Sequence, residues 1–178
     1  MRQAKYSGMM TYIINSLRNN FQFRSFMKHK TNTYLEIWVE ARTRLQKQMD
    51  ILVSEDLSKK LGDAPNSIGF LMRHIADVEL LFGKNVFGST EIKVIAKTVI
   101  DKKDSGEWTD LPALLIYLQD ADEALRKIIS QQTEEDWDKQ ISTQEFGTKT
   151  LSEAFARILS HTAYHAGQMA IIQKYGHA

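Results

Sequence analysis

His161 and His165 stand four residues apart in a stretch with helical periodicity, so both imidazoles project from one face about a turn apart. Neutral histidines at that spacing can offer ring nitrogens to a single cation. No Glu follows His161, so the metalloprotease pattern His-Glu-x-x-His, with its built-in general base, is absent. His74 belongs to a separate apolar helix and shares its projected face with Phe70, Leu71, Val78 and Leu81. One inward histidine is commonly a hydrogen-bonded core residue. Three on two helices each need a polar partner, and a shared ion would satisfy them together.

Three imidazole ligands leave a coordination position open. In zinc sites that is the pattern of catalysis, whereas structural sites close with four protein ligands. The open position can take a water and lower its pKa toward about 7, or take a substrate thiol in its ionised form. Zinc and nickel both accept imidazole, so ligand type does not separate them. The chain has no cysteine, which removes disulfides, a thiolate nucleophile and sulfur ligation, and fits a cytoplasmic setting.

Other residues near the triad invite weaker readings. Gln168, Arg157 and Tyr164 are the candidates for contact with a substrate. Gln168 could orient a ligand, or make an interhelical amide bond. Arg157 suits a carboxylate or phosphate, or a surface pair with Glu153. Tyr164 could donate to a substrate, with packing inside the bundle favoured. Asp77, a turn after His74, could buttress that ring, or face solvent or a neighbouring base. Gly167 could admit a close helix. His29 and His177 receive no role. Trp38, Trp108 and Trp137 suit core or interface packing.

The elements that position these residues follow from periodicity. The 178 residues suit one domain, and two prolines and nine glycines leave room for long helices. Leu35, Trp38, Val39, Leu45, Met49 and Leu52 form the apolar stripe of a first helix. A second starts at Asn66 or Ser67 and ends near Gly83 or Gly88. A polar link over 89–107 holds a possible short helix around Lys93 to Ile100. A third helix is capped by Thr109 or Asp110, with Pro112 in its first turn. A fourth opens on the capping box Thr150-Leu151-Ser152-Glu153 and stops at Gly176. Ser54-Glu55-Asp56 and Thr133-Glu134-Glu135-Asp136 echo one another, each after a helix and before a loop and a histidine-bearing helix. The expected architecture is an all-α four-helix bundle over residues 33–176, with residues 1–32 a basic N-terminal extension.

Net charge is +1 overall, but residues 1–30 hold six basic side chains and no acid, leaving 17 basic and 22 acidic residues elsewhere, a net −5. An acidic body without a basic aromatic stripe argues against nucleic acid as partner. No apolar run approaches the roughly 20 residues that span a bilayer. Met9 to Ile14 faintly suggests a signal peptide, and the acid-free composition a transit segment. An extra helix, or an extension ahead of a start at Met27, is the preferred reading.

At Asn66-Ser67-Ile68-Gly69-Phe70-Leu71-Met72-Arg73-His74-Ile75-Ala76 and His161-Thr162-Ala163-Tyr164-His165-Ala166-Gly167-Gln168, the chain resembles the DinB-like superfamily of small bacterial bundles. That superfamily includes bacillithiol S-transferases and mycothiol-dependent isomerases. The resemblance spans roughly residues 33 to 175. It implies a bundle of the DinB/YfiT type, His74, His161 and His165 as a metal triad, a homodimer in many members and thiol transfer in some. The expected function is a zinc- or nickel-dependent enzyme acting on a small molecule, with a bacillithiol-type S-transferase as the specific form. A metal-dependent hydrolase and a non-catalytic metal-binding dimeric bundle are the alternatives.

Overall fold

The computed structural model describes residues 30–178. The basic segment before them, with its signal, transit and start-site readings, lies outside the described residues.

Helix α1 occupies residues 30–49. Trp38 and Leu45 are buried on it, but so is Arg42, while Val39 points outward at 38% exposure. The stripe therefore turns slightly away from Val39 and takes in a charge. A 3-10 turn at Ser54–Asp56 follows, its backbone tied by the Asp56 carboxylate accepting from Val53 N.

Helix α2, Ile68–Asn85, starts where Ser67 turns its hydroxyl back to accept from Phe70 N, which satisfies one of the open amides of a first turn. The link carries a short helix α3 at Lys97–Asp101, shorter and later than the Lys93 to Ile100 expected. Helix α4, Leu111–Ser130, is capped by Asp110 with Pro112 in its first turn. The second echo segment forms a 3-10 turn at Asp136–Asp138, matching the first.

The sequence reading expected only a loop before the last helix. The structure instead has a hairpin there: β1, Gln140–Thr143, pairs antiparallel with β2, Gly147–Thr150, in the register Gln140↔Thr150 and Thr143↔Gly147. Gly147 has φ +69°, a backbone conformation that favours glycine. The strands are four residues each and largely polar, so they carry almost no periodic signal. Helix α5, Leu151–Tyr175, opens directly from β2 through the Thr150/Glu153 capping box and ends at Gly176.

The four long helices and the hairpin enclose two apolar clusters. One gathers Leu45, Leu71, Met72, Leu118 and Met169; the other gathers Trp38, Leu125, Trp137, Phe155 and Ile158. Each buried Leu or Ile side chain contributes roughly 1.5–3 kcal/mol relative to exposure. A polar knot ties all four helices together. Arg42 of α1 donates to Glu79 of α2 and to the Leu118 carbonyl of α4 at 3.2 Å, and stands 3.3 Å from Asp122. Thr162 of α5 donates to the other Glu79 oxygen at 2.8 Å. No helix of the described residues is long and apolar enough to cross a membrane.

Candidate metal centre

His74 sits on the second turn of α2, and His161 and His165 sit midway along α5. Gly69 lets the start of α2 press against the segment before α4: a Cβ there would fall 1.8 Å from the Trp108 carbonyl oxygen. The Phe70 ring stacks on His74 with centroids 5.8 Å apart and planes at 9°. Helix periodicity alone then presents the α5 pair on one face.

All three rings turn their Nε2 atoms toward one another. His161 Nε2 is 3.2 Å from His74 Nε2 and 3.1 Å from His165 Nε2. The three offered nitrogens all lie within 4.8 Å of one another, and among the described residues no other cluster of His, Cys, Asp or Glu does this.

The outer nitrogens fix which tautomers face inward. Asp77 is fully buried; its Oδ2 accepts from the Thr98 hydroxyl at 2.8 Å and from Thr98 N at 3.1 Å. With its own proton committed to Asp77, the Thr98 hydroxyl oxygen can only accept from His74 Nδ1, 3.2 Å away. His74 therefore points a bare lone pair inward. His165 Nδ1 donates to Gln168 Oε1 at 2.6 Å, and the Gln168 amide donates onward to the Tyr164 hydroxyl at 3.2 Å. His165 too faces the centre with a lone pair. Asp77 is itself anchored, accepting from Arg73 Nε at 2.9 Å and from the Tyr117 hydroxyl at 2.8 Å.

Two inward lone pairs test whether protons alone suffice. A proton on His161 Nε2 could serve one of them and would leave the other unmet. Its own Nδ1 is already buried without a partner among the described residues. A central cation accepts all three lone pairs at once. Two nitrogens held about 2.0–2.1 Å from a tetrahedral zinc ion stand roughly 3.3 Å apart, close to the spacing found. The donor set fits a divalent ion.

Electrostatics agree, since burial keeps all three rings neutral. His74 is pushed down to about 4, by burial first and the neighbouring His165 second, against the pull of Asp77. Burial, then His165 and His74, brings His161 down to about 3. His165 is lowered by burial, with Gln168 opposing. Neutral imidazole is the form that binds a metal.

The remaining sequence candidates fall differently from expectation. Gln168 bonds within its own helix, to His165 and Tyr164, and makes no interhelical amide bond among the described residues. Tyr164 does not pack inside the bundle: it is 63% exposed, its ring set at 67° to that of His165 and its hydroxyl accepting from Gln168. Arg157 pairs with Glu145 of the hairpin at 3.0 Å rather than with Glu153, because Glu153 is turned back onto Thr150 as the cap. A Cβ on Gly167 would meet nothing within 4 Å, so among the described residues no helix approaches there. Sequence reasoning missed Thr98 and Tyr117 altogether. Nothing local marks them, since they meet Asp77 from 21 and 40 positions away.

Fold and site together define a class: small helical bundles with one histidine on the second long helix and a four-spaced pair on the last. The chain belongs to the DinB superfamily, whose family model matches residues 37–169. It is similar to the crystal structure of a DinB-like protein from Bacillus cereus ATCC 10987, at TM-score 0.66 and 20% identity over 83% of this chain and 93% of that one. It is also similar to YfiT from Bacillus subtilis, described as a probable metal-dependent hydrolase with an unusual four-helix bundle topology, at TM-score 0.63 and 13% identity over 83% and 87% of the two chains. No curated protein matches the chain.

Proposed function

We propose that this protein is a divalent-metal-dependent enzyme acting on a small molecule, with His74, His161 and His165 as its three protein ligands and zinc or nickel as the ion. The observation that carries the reading is the pair of inward lone pairs on His74 and His165, each fixed by a partner on its outer nitrogen. Bound there, the ion would act as a Lewis acid with an open position and lower the pKa of a water or thiol placed in it. The chain's own part is to hold the three rings neutral and oriented. Asp77 works through Thr98 on His74, and Gln168 holds His165.

Thiol transfer to an electrophile is the leading reaction, on the family resemblance and the open metal position; as the chain has no cysteine, the thiol must come from a partner molecule. Hydrolysis is the second reading, supported by the likeness to YfiT. Incubating metal-loaded protein with bacillithiol or a related thiol and an electrophile separates them. Thiol-dependent product supports transfer, whereas metal-dependent product with water alone overturns it in favour of hydrolysis. Activity with neither, alongside chelation that lowers the melting temperature, would leave a non-catalytic metal-binding bundle. A homodimer in the cytoplasm completes the proposal, and rests on the family resemblance and the lack of cysteine.

Elemental analysis of protein purified without added metal tests the ligand set. One equivalent of ion per chain, lost in both His74→Ala and His161→Ala, is expected. Stoichiometric metal retained in either variant would contradict the triad.

A further inference from the structure

His161 also borders an open groove of ≈ 380 Å³, at the small end of the roughly 300–1,000 Å³ typical of small-molecule sites. Val78 and Phe82 of α2 give it an apolar wall, and Arg157, His161 and Tyr164 of α5 line the opposite side. Glu145 of the hairpin also lines it. Among the described residues, this groove combines a triad histidine with a cationic side chain. Arg157 lies one helical turn before His161, about 6 Å along the helix axis.

Arg157 is held in place without being neutralised deeply. Its guanidinium sits over the Phe146 ring, 5.1 Å from the centroid, and Phe146 in turn contacts Phe82 at 6.3 Å between centroids. Its acidic partner Glu145 is 66% exposed, and Arg157 itself 43%. An ion pair that open to solvent is worth about 0–1 kcal/mol. A carboxylate entering the groove can therefore take the guanidinium's fork, which suits two-point contact with planar anions. Releasing Glu145 to water costs little.

We propose that Arg157 is the anion-recognition residue of this groove, selecting small substrates that carry a carboxylate on an apolar body, with Glu145 as a displaceable competitor. This rests on the metal-centre reading for the substrate's reactive group, which would meet an ion held through His161, the one triad histidine that lines the groove. The recognition itself needs only Arg157, the aromatic ring under it and the apolar wall.

The test uses 3-phenylpropionate and its neutral isostere 3-phenylpropanamide as probes. Each is titrated into metal-free and zinc-loaded full-length protein, with binding followed by protein chemical shifts. The acid is expected to bind about three- to fivefold more tightly than the amide in both forms, the size of a solvent-exposed charge pair. Arg157→Ala should remove that preference, and the exposed position spares the fold. Glu145→Gln should tighten the acid about threefold and leave the amide unchanged. Equal binding of acid and amide, or a preference that survives Arg157→Ala, would overturn the proposal. So would a preference present only with zinc, which would place the carboxylate on the ion. If zinc does not bind, the metal centre falls, while the metal-free comparison still decides on Arg157.

Discussion

Thr98 does for His74 what a carboxylate does directly in many metal sites: it sits between the imidazole and Asp77 and leaves the ring only one usable tautomer. Thr98→Val keeps the shape and removes that acceptor, so His74 is free to turn its proton inward. A loss of about 10–100-fold in zinc affinity is expected, by competition with a chromophoric chelator, with the helical spectrum unchanged. Unaltered affinity would mean that Thr98 does not orient the ring. The triad's protonation gives a second prediction for metal-free protein. The folded rings titrate below the ordinary value of 6.5, His74 at about 4 and His161 at about 3. The unfolded chain therefore takes up protons first. Their contribution to stability is complete above about pH 6.5 and is lost as pH falls toward 4 and 3. The urea midpoint should drop between pH 7.5 and 5, and His161→Phe should flatten that dependence. Parallel curves for the two proteins would contradict it.

At the scale of elements, the starts of α2, α4 and α5 are written locally. Ser67, Asp110 and Thr150 each accept an amide of the turn they open, and the α5 cap matters most for the site because that helix carries two of the three histidines. Thr150→Ala should cost about 1 kcal/mol in denaturant unfolding. Gly69→Ala should cost more, on the order of 1–3 kcal/mol, since its methyl meets backbone rather than a yielding side chain. A neutral Gly69→Ala would show that the Trp108 segment can retreat. These caps and the histidine spacing were readable because each signal lies within a few residues. The hairpin was not: Gln140–Thr143 and Gly147–Thr150 hold one large apolar residue between them, Ile141, too few to mark a period, and their pairing is fixed by the turn and by the helix that follows. The support behind His74 was equally invisible, because it joins α2 to a polar link with no period of its own. Arg42 was legible in principle. It falls between Trp38 and Leu45 at stripe positions of α1, where a charge needs a buried partner, and Glu79 stands in the same relation to Ile75 and Phe82 on α2.

For the whole molecule, that buried pair decides how the helices meet. Glu79 is fully buried, and burial raises its pKa against the opposing pull of Arg42 and the Thr162 hydroxyl. Glu79→Ala would leave the buried Arg42 guanidinium with only the Leu118 carbonyl and the partly exposed Asp122, and Thr162 without its acceptor. A loss of about 3 kcal/mol or more is expected by urea denaturation, because removing one partner of a buried pair leaves an uncompensated charge. Thr162 neighbours His161 on α5, so the same knot that sets helix packing also sets the rotation of the α5 pair toward His74.

X-ray absorption at the zinc edge addresses the convergence of the three rings most directly. Zinc-loaded protein should show three imidazole nitrogens at about 2.0–2.1 Å and one oxygen ligand that adding a small thiol replaces with sulfur at about 2.3 Å. A fourth protein ligand that the thiol cannot displace, or fewer than three imidazoles, would contradict the account.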